Sequence, residues 1–206
     1  LAEAPDSTGM PNPAGALDRL LTGNRRFVAG RARHPRQSPR HLRELADGQR
    51  PFAITLGCAD SRVPPELLFD QGLGDLFEHR VAGNVVDDLL LGSIEFALEE
   101  FAPPLLLVRC GAVTATVAAI AHGGTPPGSI GSIVDALRPT IEPMLDAPGD
   151  VVEAGVRANV RTQVRRLTTT SAIVRERVRS GRLAVIGARY DLDHGLVSLL
   201  TPPPRR

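Results

Sequence analysis

"FAITLGCADSRVPPELLFDQG", residues 52–72, decides the reading of the fold. Residues 52–57 make a short, almost wholly apolar run, as a strand buried on both faces requires. Cys58 follows, then a short helix opened by proline and stopped by Gly72. "LLLVRCGAVTA", residues 105–115, has the same design: an apolar strand over 104–108, then Cys110, then a small-residue helix over 111–124. Strands that feed helices in this way build an α/β fold around a parallel sheet. In such sheets the carboxyl ends of the strands line the functional crevice. Both cysteines are therefore expected at one crevice if the two strands are neighbours.

The flanking sequence extends the pattern. Further strands are expected at 76–83, 183–190 and 195–200, and helices at 85–101 and in three segments between 129 and 181. The last two strands are separated only by the turn "DLDHG", so residues 195–200 pair antiparallel at an edge. Near the amino end, Asn12 and Pro13 open an amphipathic helix whose stripe is Leu17, Leu20, Leu21, Phe27 and Val28. Residues 31–50 read as a long loop with one helical turn near 39–47. The expected architecture is a central, mainly parallel β-sheet with an antiparallel edge strand, helices on both faces and an N-terminal helical arm. Residues 1–12 are expected to be a flexible arm, 13–200 a single domain, and 201–206 a frayed tail.

Composition narrows the function. The chain has 206 residues, 24 basic and 23 acidic, for a formal charge of +1. That balance argues against nucleic acid as the main partner. Its arginine clusters at 25–36 and 161–167 read as solvated faces. No apolar run is long enough for a membrane span. Two cysteines do not make a disulfide scaffold, and a chain of this length needs none. A cytoplasmic location is the default expectation, with a signal upstream of Leu1 left open.

Two thiols at one crevice have three chemical readings: ligands to a soft metal, a redox pair, or a nucleophile with a bystander. Zinc is the natural metal for thiolates without a haem or iron–sulfur signature. Asp60 lies two residues past Cys58, within reach of the same metal, and Arg62 two further on can hold Asp60 in a bidentate pair. Such a carboxylate can orient a metal-bound hydroxide, which the metal makes available near neutral pH.

With these residues in view, the chain resembles the β-class carbonic anhydrases, whose hallmark is Cys-x-Asp-Ser-Arg followed later by His-x-x-Cys-Gly. "CADSR" (58–62), "AGN" (82–84), "GSIE" (92–95), "CGA" (110–112), the lead-in "GQRPFAI" and the closing "AVIGARYDLDHGLV" carry the likeness over roughly residues 13–200. The resemblance implies zinc-dependent reversible hydration of carbon dioxide to bicarbonate. It implies Cys58 and Cys110 as zinc ligands beside a histidine, and Asp60 and Arg62 as a catalytic dyad. Asp60 would be the fourth ligand in a resting form, Gln49 would help hold substrate, and Gly111 would lie beside the ligand turn. A homodimer or higher homo-oligomer is implied, with the helix over 17–28 either embracing a neighbour or packing on its own domain. Alternatives are a hydrolase of carbonyl sulfide or carbon disulfide, a metal-free binding or regulatory protein on the same fold, and a thiol redox protein.

One departure stands out. The family pattern puts Leu-Gly-His-x-x between the strand and Cys-Gly, whereas here Val108 is followed directly by Arg109 and Cys110. The stretch is about four residues short and lacks the histidine. Residues missing between Val108 and Arg109, a true deletion, or a substitute histidine would each explain it. His34, His41, His79, His122 and His194 are not spaced to stand beside Cys110. A strand-to-helix connection commonly takes ~2–6 residues, which favours missing residues. A true deletion is expected to shorten the strand or to pull Cys110 out of the crevice.

Overall fold

Local chemistry sets the ends of the elements. Helix α1 (Pro13–Val28) starts where the Asn12 side chain accepts from the Gly15 amide at 2.8 Å. Asp87 caps α4 (Asp88–Phe101) by accepting from the Leu90 amide, and Asp150 caps α7 (Val151–Thr170) through the amides of Val152 and Glu153. The apolar runs become strands β1 (Ala53–Gly57), β2 (Leu76–Arg80), β3 (Leu105–Cys110), β4 (Ala184–Tyr190) and β5 (Val197–Leu199). Short helices α2 (Pro39–Glu44) and α3 (Pro65–Leu68) flank β1, while α5 (Thr114–Ala121), α6 (Ile130–Ile141) and α8 (Ala172–Arg179) complete the helical set. These elements belong to a computed structural model that describes residues 9–111, 114–123, 126–146 and 148–204. Expectations for residues 1–8 and 205–206 lie outside the described residues.

The strands form one sheet in the order β2-β1-β3-β4-β5, parallel except for the antiparallel β4–β5 pair. Alternation along each strand splits the core in two. Ile54, Leu56, Leu106 and Val108 face a cluster completed by α4, α5, α6 and α7; Ala53, Leu105 and Leu107 face one that includes Ala16, Leu17 and Leu20 of α1. The sheet, its antiparallel edge and the helices on both faces are as expected. Within the single chain, α1 packs Ala16, Leu17 and Leu20 on its own domain. Gly23 lies so close to α3 that a β-carbon there would meet the Phe69 carbonyl oxygen at 1.6 Å. Buried Asn24 donates to the carbonyls of Leu68 and Gly195 and accepts from the Val197 amide.

The chain leaves β1 for β2 on one side and returns to β3 on the other. The switch point of the sheet therefore lies at the carboxyl ends of β1 and β3, where a ligand crevice is expected. At this point the strand bears on the expected effects of a shortened connection. Val108, Arg109 and Cys110 are consecutive strand residues, opposite Gly187, Ala188 and Arg189 of β4. With Val108 followed directly by Arg109, β3 is not shortened. The strand instead runs on through Cys110, two residues beyond its expected end, and α5 begins four residues later at Thr114.

A candidate active site at the carboxyl ends of the central strands

β1 ends at Gly57, and "CADSR" turns away from it. Gly57 and Ala59 are tied to Val81 by backbone hydrogen bonds of 3.2 and 3.3 Å. Arg80, the last residue of β2, secures the turn from the side. Its Nε donates to the Cys58 carbonyl at 3.1 Å and its Nη2 donates to the Asp60 carbonyl. Sequence reasoning did not single out Arg80. The available signal was a cation closing a strand that points at the crevice.

Asp60 and Arg62 are brought together as expected. The Arg62 backbone N–H and Nε donate to Oδ1 at 2.9 and 3.0 Å, and Nη2 donates to Oδ2 at 2.6 Å. These bonds, the side-chain ones first, hold the Asp60 carboxyl at a pKa of about 2, and in return Asp60 raises that of Arg62. Asp60 is thus an ionised acceptor at neutral pH.

The two cysteines end at the same level of the sheet. Each lies two residues beyond the last β1–β3 pair, Leu56 with Val108. Their surroundings differ. Cys58 is half-buried in the turn, while Cys110 is 1% exposed and belongs to the apolar cluster of Ile54, Leu56, Val108 and Val117. Gly111 follows, against the ring of Tyr190 and near Leu192. Gln49 is not brought to this end by its own chain. It precedes β1, exposed, in a cleft with Met10, Asn12, Arg50 and Arg177 at the amino ends of the strands.

A catalytic zinc site takes three protein donors and keeps a fourth position open. Among the described residues, no three of His, Cys, Asp or Glu converge on a point where a metal could sit. His79 is no substitute. It sits inside β2 against Phe77, ring centroids 5.4 Å apart, and burial pulls its pKa down to about 4. The residues present do not fit the expected metal.

Arg109 occupies the opposite face of β3. It is 1% exposed, and neither its Nε nor its Nη2 has a hydrogen-bond partner among the described residues. Its guanidinium fills the space left by the missing side chain of Gly57, where a β-carbon would stand 2.8 Å from Cζ. Burial draws its pKa down to about 10, with Glu78 the leading opposing charge. Burial, with the Glu66 carboxylate second, pushes Glu78 up to about 7. A charged residue in an otherwise apolar strand was the signal for this arrangement.

Comparison with known proteins bears on these geometries. A carbonic anhydrase family profile matches residues 53–197. The chain is 43% identical over 190 residues to carbonic anhydrase 2 of Mycobacterium tuberculosis (strain H37Rv), covering 89% of this chain and 91% of that protein. Its fold is similar to that of a Coccomyxa β-carbonic anhydrase in complex with acetazolamide, with a TM-score of 0.70 and 26% identity, covering 91% of this chain and 87% of the other. It also matches the fold of a tetrameric β-carbonic anhydrase from Sordaria macrospora, with a TM-score of 0.70 and 23% identity, covering 91% and 98%.

Proposed function

Because this chain belongs to the β-carbonic anhydrase family, we propose that it catalyses the reversible hydration of carbon dioxide at the carboxyl ends of β1 and β3. The Asp60–Arg62 pair carries this reading. Three donors from Arg62 fix the carboxylate, and its pKa of about 2 keeps it from taking a proton near neutrality. A carboxylate held in this way accepts a hydrogen bond from a hydroxide taken from solvent and turns its oxygen lone pair toward the carbon, so that hydroxide and carbon dioxide give bicarbonate with no proton left to place. Arg80 supports the step by holding the carbonyls of Cys58 and Asp60, which sets where the dyad stands. The family implies zinc as the source of hydroxide, but this chain does not present its donors, and no step is assigned to it. A homo-oligomer, as the family likeness implies, is part of the same proposal.

Stopped-flow hydration of carbon dioxide tests the reading. Asp60→Asn and Arg62→Ala are each expected to lose at least ~100-fold of the wild-type rate. A wild-type rate equal to that of buffer alone would end it. The burial of Cys110 in the core favours a second reading, a bicarbonate-binding protein on the same fold. Saturable bicarbonate binding, weakened by Arg62→Ala and without turnover, would mark that case.

A further inference from the structure

We infer that this chain does not assemble a stable zinc centre from its own side chains, and that Arg109 stands as a fixed positive charge at the end of β3. The inference rests on the family reading, which supplies the expected spacing, and departs from it on three observations.

First, the connection is short. Because β3 continues to Cys110, the position where the family pattern has its ligand turn is spent on strand, and Cys110 is held in register opposite Arg189. Second, the register directs Cys110 inward. It shares a face with Leu106 and Val108 and packs in their cluster, so using its sulfur as a ligand at the crevice would require unpairing the end of the strand. Third, the residue before it is a buried arginine rather than part of a ligand turn. Its guanidinium lies against Gly57, the neighbour of Cys58. Arginine stays protonated, cannot act as a ligand, and opposes a divalent cation placed nearby. What remains for a metal is Cys58 with Asp60, and Asp60 is already engaged by Arg62. Two donors do not make a zinc site.

The test measures metal on the full-length protein. Wild-type chain, expressed with added zinc and then dialysed, is expected to retain less than about 0.1 zinc per chain by elemental analysis. Added cobalt(II) is expected to give no thiolate-to-metal absorption band. A variant with Leu-Gly-His-Ser inserted between Val108 and Arg109 restores the family spacing and is expected to gain close to one zinc per chain. Should that variant fail to fold, the wild-type measurements decide alone. Half a zinc or more per wild-type chain, lost in Cys58→Ser or Cys110→Ser, would overturn the inference whatever the turnover. Zinc-free protein that hydrates carbon dioxide would support both this inference and the proposed function. Zinc-free protein without turnover would support the inference and remove the hydration reading.

Discussion

Replacing Arg109 by methionine is expected to stabilise the protein. The guanidinium is almost wholly buried, and burial lowers its pKa from the ordinary arginine value to about 10. For a base with a depressed folded pKa, the unfolded chain holds the proton more tightly. The penalty is therefore complete at every pH below about 10 and disappears only as the pH climbs past the ordinary arginine value. At roughly 1.4 kcal/mol per pKa unit, the charge costs folding about 3 kcal/mol at neutral pH. Methionine keeps a flexible, unbranched stem of similar length and removes the charge. Some of the gain is returned, because Glu78 loses a nearby cation and is then held more firmly in its protonated form. The net expectation is a gain of about 1–3 kcal/mol, in line with other replacements of buried charge by apolar groups. For a domain of this length, that is about 2–4 °C in Tm per kcal/mol. Urea and thermal unfolding followed by circular dichroism at pH 7 would measure it. Gly57→Ala provides a geometric check, since its cost should shrink in the Arg109→Met background, where no guanidinium meets the added methyl. A loss of about 2 kcal/mol or more in Arg109→Met would refute the reasoning. It would mean that the guanidinium has partners worth more than its burial costs.

Four further outcomes can be measured. His79 stays neutral down to about pH 4 in the folded protein against an ordinary value of 6.5, so acidification should remove up to about 3 kcal/mol of stability, a loss absent from His79→Leu. Glu78 acts in the opposite sense: the folded state holds its proton up to about pH 7 against an ordinary 4.5, so Glu78→Gln should expose a steeper loss of wild-type-like stability below pH 6.5. Gly23→Ala is expected to cost about 1–3 kcal/mol in thermal unfolding, because the new methyl overlaps the Phe69 carbonyl; an unchanged Tm would show that α1 is not held against α3. Asn24→Ala removes both donors and the acceptor that join α1 to Leu68, Gly195 and Val197, and should cost about 2–4 kcal/mol in urea unfolding.

Much of this protein was legible in the order of its residues. Apolar runs bounded by proline, glycine and capping residues announce strands and helices because they report on local conformation and on burial of whole faces. The spacing of Cys58, Asp60 and Arg62 was equally local, and the carboxylate and guanidinium that meet at 2.6 Å are two residues apart. Even the missing histidine was visible from spacing. Its consequence was not. Whether a shortened connection breaks the strand, displaces the cysteine or draws it into the sheet depends on whether β1 and β4 can go on pairing with β3 through Cys110. Nor could the sequence tell that Arg109 would lie beneath Gly57, a residue far from it in the chain, or that Arg80 would hold the carbonyls of the turn after β1. Gln49 marks the same boundary: it stands nine residues before Cys58, and a fully buried strand places it at the opposite end of the sheet. Local propensity and motif spacing determine the elements and the dyad. Strand register decides which side chains share a crevice, because it is set by pairing and burial summed over the whole sheet.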